Sequence, residues 1–260
     1  MASKLIKVIE NFGSFVLQRC ERVGVFIFFL NKAIKTLFTT KLKIKKTFYQ
    51  AKNIGVDSSF VIFLTGTSVG SVLAYQSYIG LHRFGGEQFI GPVVFLSMAR
   101  EFGPVLTAIM VIARAGSAIT AEIGSMRISE QIDALQTLSI DTHQYLIVPR
   151  ILASTIILPF LSLFCSLWGI LGGYIVATKV LDINPELFLR TIRENVEVFD
   201  ITSGLIKAVF FGFLFSWIAT YKGFTTSGGS KGVGLSTTES VVYACVTIFI
   251  SDYILTALMF

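Results

Sequence analysis

Arg100 and Glu101 stand side by side, followed by Gly103 and Pro104, in the run SMAREFGPVL at residues 97–106, and the flanking sequence is apolar. An arginine at membrane depth costs at least ~2.5–3.5 kcal/mol on insertion scales, so it faces protein or a water-filled cavity. Glu101 is one candidate partner, but adjacent helical positions point ~100° apart, and a second helix can equally supply one. Pro104 has no N–H and leaves the carbonyl of Arg100 without its helical hydrogen bond. Gly103 favours a bend beside it. A freed carbonyl at that depth is tolerated where it lines a cavity or is buried in protein. Arg100, Glu101 and Pro104 together point to a polar chamber at membrane depth. The competing reading is a buried ion pair that locks two helices. Arg114, within ~40° of Arg100 on an ideal helical wheel, reads as a snorkelling side chain at the membrane boundary. Lys207 and Asp252 are the other charges within apolar runs, and Asp252 is expected to pair or cap.

A second cluster lies at residues 126–138, MRISEQIDALQTL. Ile128, Ile132, Leu135 and Leu138 recur at helical spacing. Ser129, Glu130, Asp133, Gln136 and Thr137 occupy the other face. One reading docks this short amphipathic helix into a groove on a soluble partner; the other lays it on the membrane. Interfacial helices favour Lys and Arg on the polar face, and this face is acidic, which favours the partner.

Other chemistry finds no support. The loop GGSKGVG at 228–234 is followed by Leu235, whereas a Walker A loop requires G-x-x-x-x-G-K-[ST] after a strand. It reads as a flexible connector. Cys20, Cys165 and Cys245 have no metal-type spacing, and His82 and His143 read as ordinary loop residues. No metal site and no nucleophile–base–acid set is expected.

These residues must be positioned by membrane helices. Of 260 residues, 53% are hydrophobic and 15% charged, against about 25% charged in soluble domains. Five runs approach or exceed the ~20 apolar residues that cross a bilayer: residues 60–81, 92–121, 151–178, 201–221, and a last one opened by the capping-box pattern Ser236-Thr-Thr-Glu239. Pro149 marks a helix start before the third, and the pattern small-xxx-small at Gly66 and Gly70 suits close helix contact in the first. Asn184-Pro185-Glu186 predicts a cap and a short helix to about Val198.

The net charge of +6 is not that of a nucleic-acid binder: eleven of the 22 Lys and Arg residues fall in the first 52 positions. This is the asymmetry of a cytoplasmic segment. Residues 1–52 read as a basic interfacial segment with an amphipathic helix or two over 5–30, and 53–260 as the membrane domain. Five spans then leave the N-terminus inside and the C-terminus outside. The chain is expected to be an all-α polytopic membrane protein with an N-terminal interfacial helix, a cytoplasmic amphipathic helix and a short external helix.

The run from Ala99 to Asp141, AREFGPVLTAIMVIARAGSAITAEIGSMRISEQIDALQTLSID, followed by Pro149-Arg150, strongly resembles the MlaE-type permease family. The segment YKGFTTSGGSKGVGLSTTESVV, Tyr221 to Val242, resembles that family's last internal loop. The resemblance implies the membrane subunit of an ABC-type phospholipid transporter in a bacterial inner membrane, with a plastid envelope as the other location. It implies a homodimer, an MCE-domain lipid-binding protein outside, and a cytoplasmic ATPase subunit that binds the ATP, with no cofactor in this chain. By the same resemblance Arg127, Ser129, Glu130, Asp133, Leu135 and Leu138 belong to a coupling helix inserted into the ATPase. Arg100 and Glu101, with Gly103 and Pro104, lie near a lipid cavity. An ion-coupled secondary transporter using Arg100, Glu101 and Asp252 is the alternative, and a structural scaffold without a cavity is a third reading. The lysine-dense stretch Lys41–Lys46 has no assignment in this pattern.

Overall fold

The computed structural model describes residues 2–40 and 42–260, with side chains at 17, 20, 21 and from 24 onward in that range. Apart from Leu17, the side chains of the amphipathic run at 5–17 lie outside the described residues, as does Lys41. Among the described residues there is no strand. The helices are α1 (Ala2–Thr39), α2 (Ile44–His82), α3 (Glu87–Ile128), α4 (Gln131–Thr137), α5 (His143–Lys179), α6 (Pro185–Asn195), α7 (Val198–Phe224) and α8 (Gly229–Met259). Among the described residues, five of these helices, α2, α3, α5, α7 and α8, are long and apolar enough to cross a membrane.

Glycines set how closely the spans approach. A Cβ on Gly66 of α2 would sit 2.6 Å from the Cys165 carbonyl oxygen of α5, and one on Gly70 would overlap the Gly169 carbonyl. Gly172 of α5 faces the Thr67 carbonyl in the same way. The small residues at 66 and 70 therefore bring two backbones into contact, which is how apolar helices gain dispersion energy where no hydrophobic effect separates them from lipid.

Helix α3 is continuous but not regular. Its α-helical segments Ile90–Ser97, Gly103–Val111 and Ser117–Ile128 are joined by π-helical turns, Met98–Phe102 and Ile112–Gly116. The expected bend at Gly103-Pro104 is thus absorbed as one wide turn: the Gly103 N–H reaches back to the Met98 carbonyl, which also accepts the Ser166 hydroxyl at 3.0 Å. Such turns recur at functional sites, and here each contains one of the helix's arginines, Arg100 or Arg114.

Several element boundaries differ from expectation. Pro149 takes the first turn of the α-helical stretch Val148–Lys179, as expected, but that stretch continues a π turn, His143–Ile147, so the whole run begins at His143. The glycine-rich segment expected as a connector is helical from Gly229, and α8 opens after Gly228 at φ 88° rather than at Ser236. Packing explains this: Gly232 is buried where a Cβ would overlap the Ser227 carbonyl, and Val233 lies against Gly124 of α3, so tertiary contact outweighs glycine's poor propensity. Asn184 caps α6 as expected, its Oδ1 accepting the Glu186 N–H at 2.8 Å, and α6 ends at Asn195.

Helix α1 is one helix rather than two. Phe26 stacks on Trp217 at 4.1 Å, and Phe29 meets Tyr221, Phe224 and His143 at 5.1–5.5 Å. His143, expected as a loop residue, is 4% exposed among these rings.

Candidate functional site

The wide turn of α3 puts Arg100 and Glu101 on different neighbours. Arg100 Nε donates to Asp200 Oδ1 at 2.8 Å, and its Nη2 lies 2.5 Å from the same oxygen. The guanidinium also lies 4.4 Å from the centre of the Phe260 ring. Asp200 is the third residue of α7 and is 2% exposed on its side chain. Its second oxygen accepts the Glu197 N–H at 2.8 Å in a reciprocal capping box, so one carboxylate both starts α7 and holds Arg100.

Glu101 instead meets Lys207 of α7. The Lys207 ammonium, wholly buried, lies 2.6 Å from Glu101 Oε2, 3.1 Å from Asp252 Oδ1 and 2.7 Å from the Thr256 hydroxyl. Asp252 and Thr256 belong to α8. Two cations and three carboxylates thus tie α3, α7 and α8 together. The immediate neighbours Arg100 and Glu101 do not pair with each other, because the two positions point apart. Asp200 lay just outside the span expected from sequence. For Lys207 a signal existed: a lone ammonium in an apolar helix has to find a carboxylate.

Beside this cluster α3, α5 and α7 enclose an apolar groove of 620 Å³ lined by Phe95, Ala99, Ser162, Leu167, Ile201 and Gly204 among others. Gly204 is required here, since a Cβ would overlap the Ala99 carbonyl. Arg100, Glu101, Gly103 and Pro104 do not line the groove; Ala99, the neighbour of Arg100, does. Gly103 and Pro104 are buried, and a Cβ on Gly103 would overlap the Ser166 hydroxyl. Their part is to shape the wall, while Arg100 keeps 34% of its side chain exposed beside it.

At the other end of α3 the expected helix over 126–138 is broken. Helix α3 ends at Ile128, Ser129 and Glu130 form a turn with Glu130 left-handed at φ 58°, and α4 follows. Arg127 reaches across that turn to Asp133 at 2.6 Å. Ile132 is buried, Leu135 half-buried and Leu138 exposed. Arg114 does not snorkel freely: it pairs with Asp57 of α2 at 2.7 Å and donates to the Asn53 carbonyl at 2.9 Å. Arg150, 3% exposed, meets Glu122 at 2.8 Å.

The sequence model described as Permease MlaE matches residues 47–258. A probable ABC transporter permease protein of Rickettsia prowazekii is 41% identical over 256 residues, 98% of this chain and 99% of that one. The intermembrane phospholipid transport system permease protein MlaE of Haemophilus influenzae is 39% identical over 208 residues, 80% of each chain. The chloroplastic protein Trigalactosyldiacylglycerol 1 of Arabidopsis thaliana is 39% identical over 220 residues, 85% of this chain and 63% of that one. With five helices among the described residues long and apolar enough to cross a membrane, and these matches over most of its length, the chain belongs to the MlaE permease family and is a multi-pass ABC transporter permease subunit.

Proposed function

We propose that this permease subunit moves phospholipids between membranes, with ATP bound and hydrolysed by a separate cytoplasmic ATPase subunit. The observation that carries the reading is the 620 Å³ apolar groove beside Arg100. A phospholipid joins acyl chains to a phosphate: the groove offers apolar walls, and Arg100, whose neighbour Ala99 lines the groove, keeps 34% of its side chain exposed and carries a guanidinium suited to phosphate geometry. The name of the Haemophilus relative supports the same substrate class.

In this reading the basic N-terminal segment and α4 lie inside, α6 and the C-terminus outside, in a bacterial inner membrane. The chain works as a homodimer with an MCE-domain lipid-binding protein on the outer side. Helix α4 and the turn before it, with Arg127, Ser129, Glu130, Asp133, Leu135 and Leu138, engage the ATPase. The Arg127–Asp133 pair fixes the turn, buried Ile132 anchors the helix, and exposed Leu138 offers an apolar contact. Arg100, Glu101 and Asp252, the charges that an ion-coupled carrier would use, are each engaged in an ion pair.

The test is ATP-dependent transfer of labelled phospholipid between vesicles by the complex reconstituted with its ATPase. Arg100→Ala is expected to reduce transfer at least tenfold while the ATPase subunit still copurifies. Unchanged transfer refutes the role of Arg100 at the groove. Glu130→Lys with Asp133→Lys is expected to lose the ATPase subunit on purification.

A further inference from the structure

The starts of α2 and α5 and the last turns of α3 enclose a second, polar pocket of 270 Å³, lined by Lys46, Tyr49, Glu122, Tyr145 and Arg150 among others. It shares helices α3 and α5 with the groove but none of its lining residues. Lys46 and Lys43 lie 2.9 and 4.5 Å from the centre of the Tyr145 ring. Helix α2 starts here without a side-chain cap on Lys43, so the positive end of a 39-residue helix adds to the two ammoniums. Arg150 is 3% exposed; its Nη1 donates to the Leu146 carbonyl at 2.9 Å and its Nη2 pairs with Glu122, yet its buried Nε has no hydrogen-bond partner. Buried donors are normally satisfied. With Lys43, Lys46 and Arg150 against Glu122, positive charge is left over.

Depth decides what anion fits. Arg150 immediately precedes residues 151–178, which carry no charge. The pocket therefore sits at the boundary between hydrocarbon and water, where phospholipid headgroups lie. Leu42, Ile44 and Phe48, all exposed, flank the lysines with the apolar surface that a lipid's chains require and that a free phosphate does not. Basic pockets between membrane helices bind anionic headgroups on general electrostatic grounds.

We infer that this pocket holds the phosphate of an anionic phospholipid from the leaflet on the α4 side, as a resident lipid distinct from any lipid in the α3–α5–α7 groove. It also gives the unassigned lysine-dense stretch a role. The inference does not depend on what the chain transports.

Native mass spectrometry of the full chain, released from detergent containing phosphatidylglycerol, counts retained lipids directly. The wild type is expected to keep one more phosphatidylglycerol per chain than Lys43→Ala/Lys46→Ala, with affinity at that site falling about 30-fold from the loss of two basic residues. Phosphatidylcholine is expected to show no such difference. The two lysines are partly exposed, so the variant avoids the folding risk of replacing Arg150. Equal lipid counts in both proteins overturn the proposal. So does thermal stabilisation by inorganic phosphate equal to that by phosphatidylglycerol. Loss of the ATPase subunit from the variant with its lipid count unchanged overturns it in favour of an acidic partner side chain.

Discussion

Replacing Lys207 by methionine tests whether the charge cluster is a stabilising joint. Lys207 is wholly buried and contacts Glu101, Asp252 and Thr256 at 2.6–3.1 Å. Methionine keeps the length and apolar stem but leaves two carboxylates facing each other without a cation. Removing one partner of a buried ion pair costs about 3–5 kcal/mol. Glu101 and Asp252 are 35% and 21% exposed, so water screens part of the loss and the lower end, about 3 kcal/mol, applies. At 2–4 °C per kcal/mol for chains near this size, Tm should fall by roughly 6–12 °C. The fluorescence of Trp168 and Trp217 during heating of the detergent-solubilised protein reads this out. The triple variant Lys207→Met/Glu101→Gln/Asp252→Asn removes every uncompensated charge and should recover most of the loss. A Tm within about 2 °C of wild type for the single variant, or no recovery in the triple, would refute the reasoning.

Gly70→Ala should destabilise the contact between α2 and α5 by more than the alanine gains in helix propensity, because its Cβ overlaps the Gly169 carbonyl and the clash is backbone against side chain; a raised Tm in the same heating assay contradicts this. Asp57→Asn should change Tm by less than a few degrees. The Arg114–Asp57 pair is 39% and 54% exposed on its side chains, and such pairs contribute about 0–1 kcal/mol.

Much of this architecture is written locally. The charge-free runs at residues 60–81 and 151–178 suffice for two spans, since a bilayer fixes the apolar length. Asn184-Pro185-Glu186 determines the start of α6 because a cap needs only neighbouring atoms. The small residues Gly66 and Gly70 mark a helix contact surface, although not the helix that fills it. The glycine-rich segment misleads, because propensity weighs one residue at a time while the start of α8 is decided by packing of Gly232 and Val233 against residues distant in sequence or around the turn. Glu197 and Asp200 form a capping box that their spacing permits, but glutamate is an unusual cap and the apolar run starts only after them.

The unusual chemistry of Arg100 and Glu101, charged residues with a glycine and a proline inside an apolar run, was visible in the sequence because their desolvation cost follows from residue type alone. Which carboxylate meets Arg100 and which ammonium meets Glu101 was not. Asp200 lies 100 residues from Arg100, and Lys207 lies 106 from Glu101. Several charges could have satisfied each by number. The choice was made by the wide turn at Met98–Phe102, which sends adjacent side chains to different neighbours, and by Gly204, whose missing Cβ lets α7 close on the Ala99 carbonyl. Sequence determined that buried charge had to be paired; only the packing of α3 against α7 and α8 decided with what, because pairing falls off within a few ångströms and only packing sets those distances.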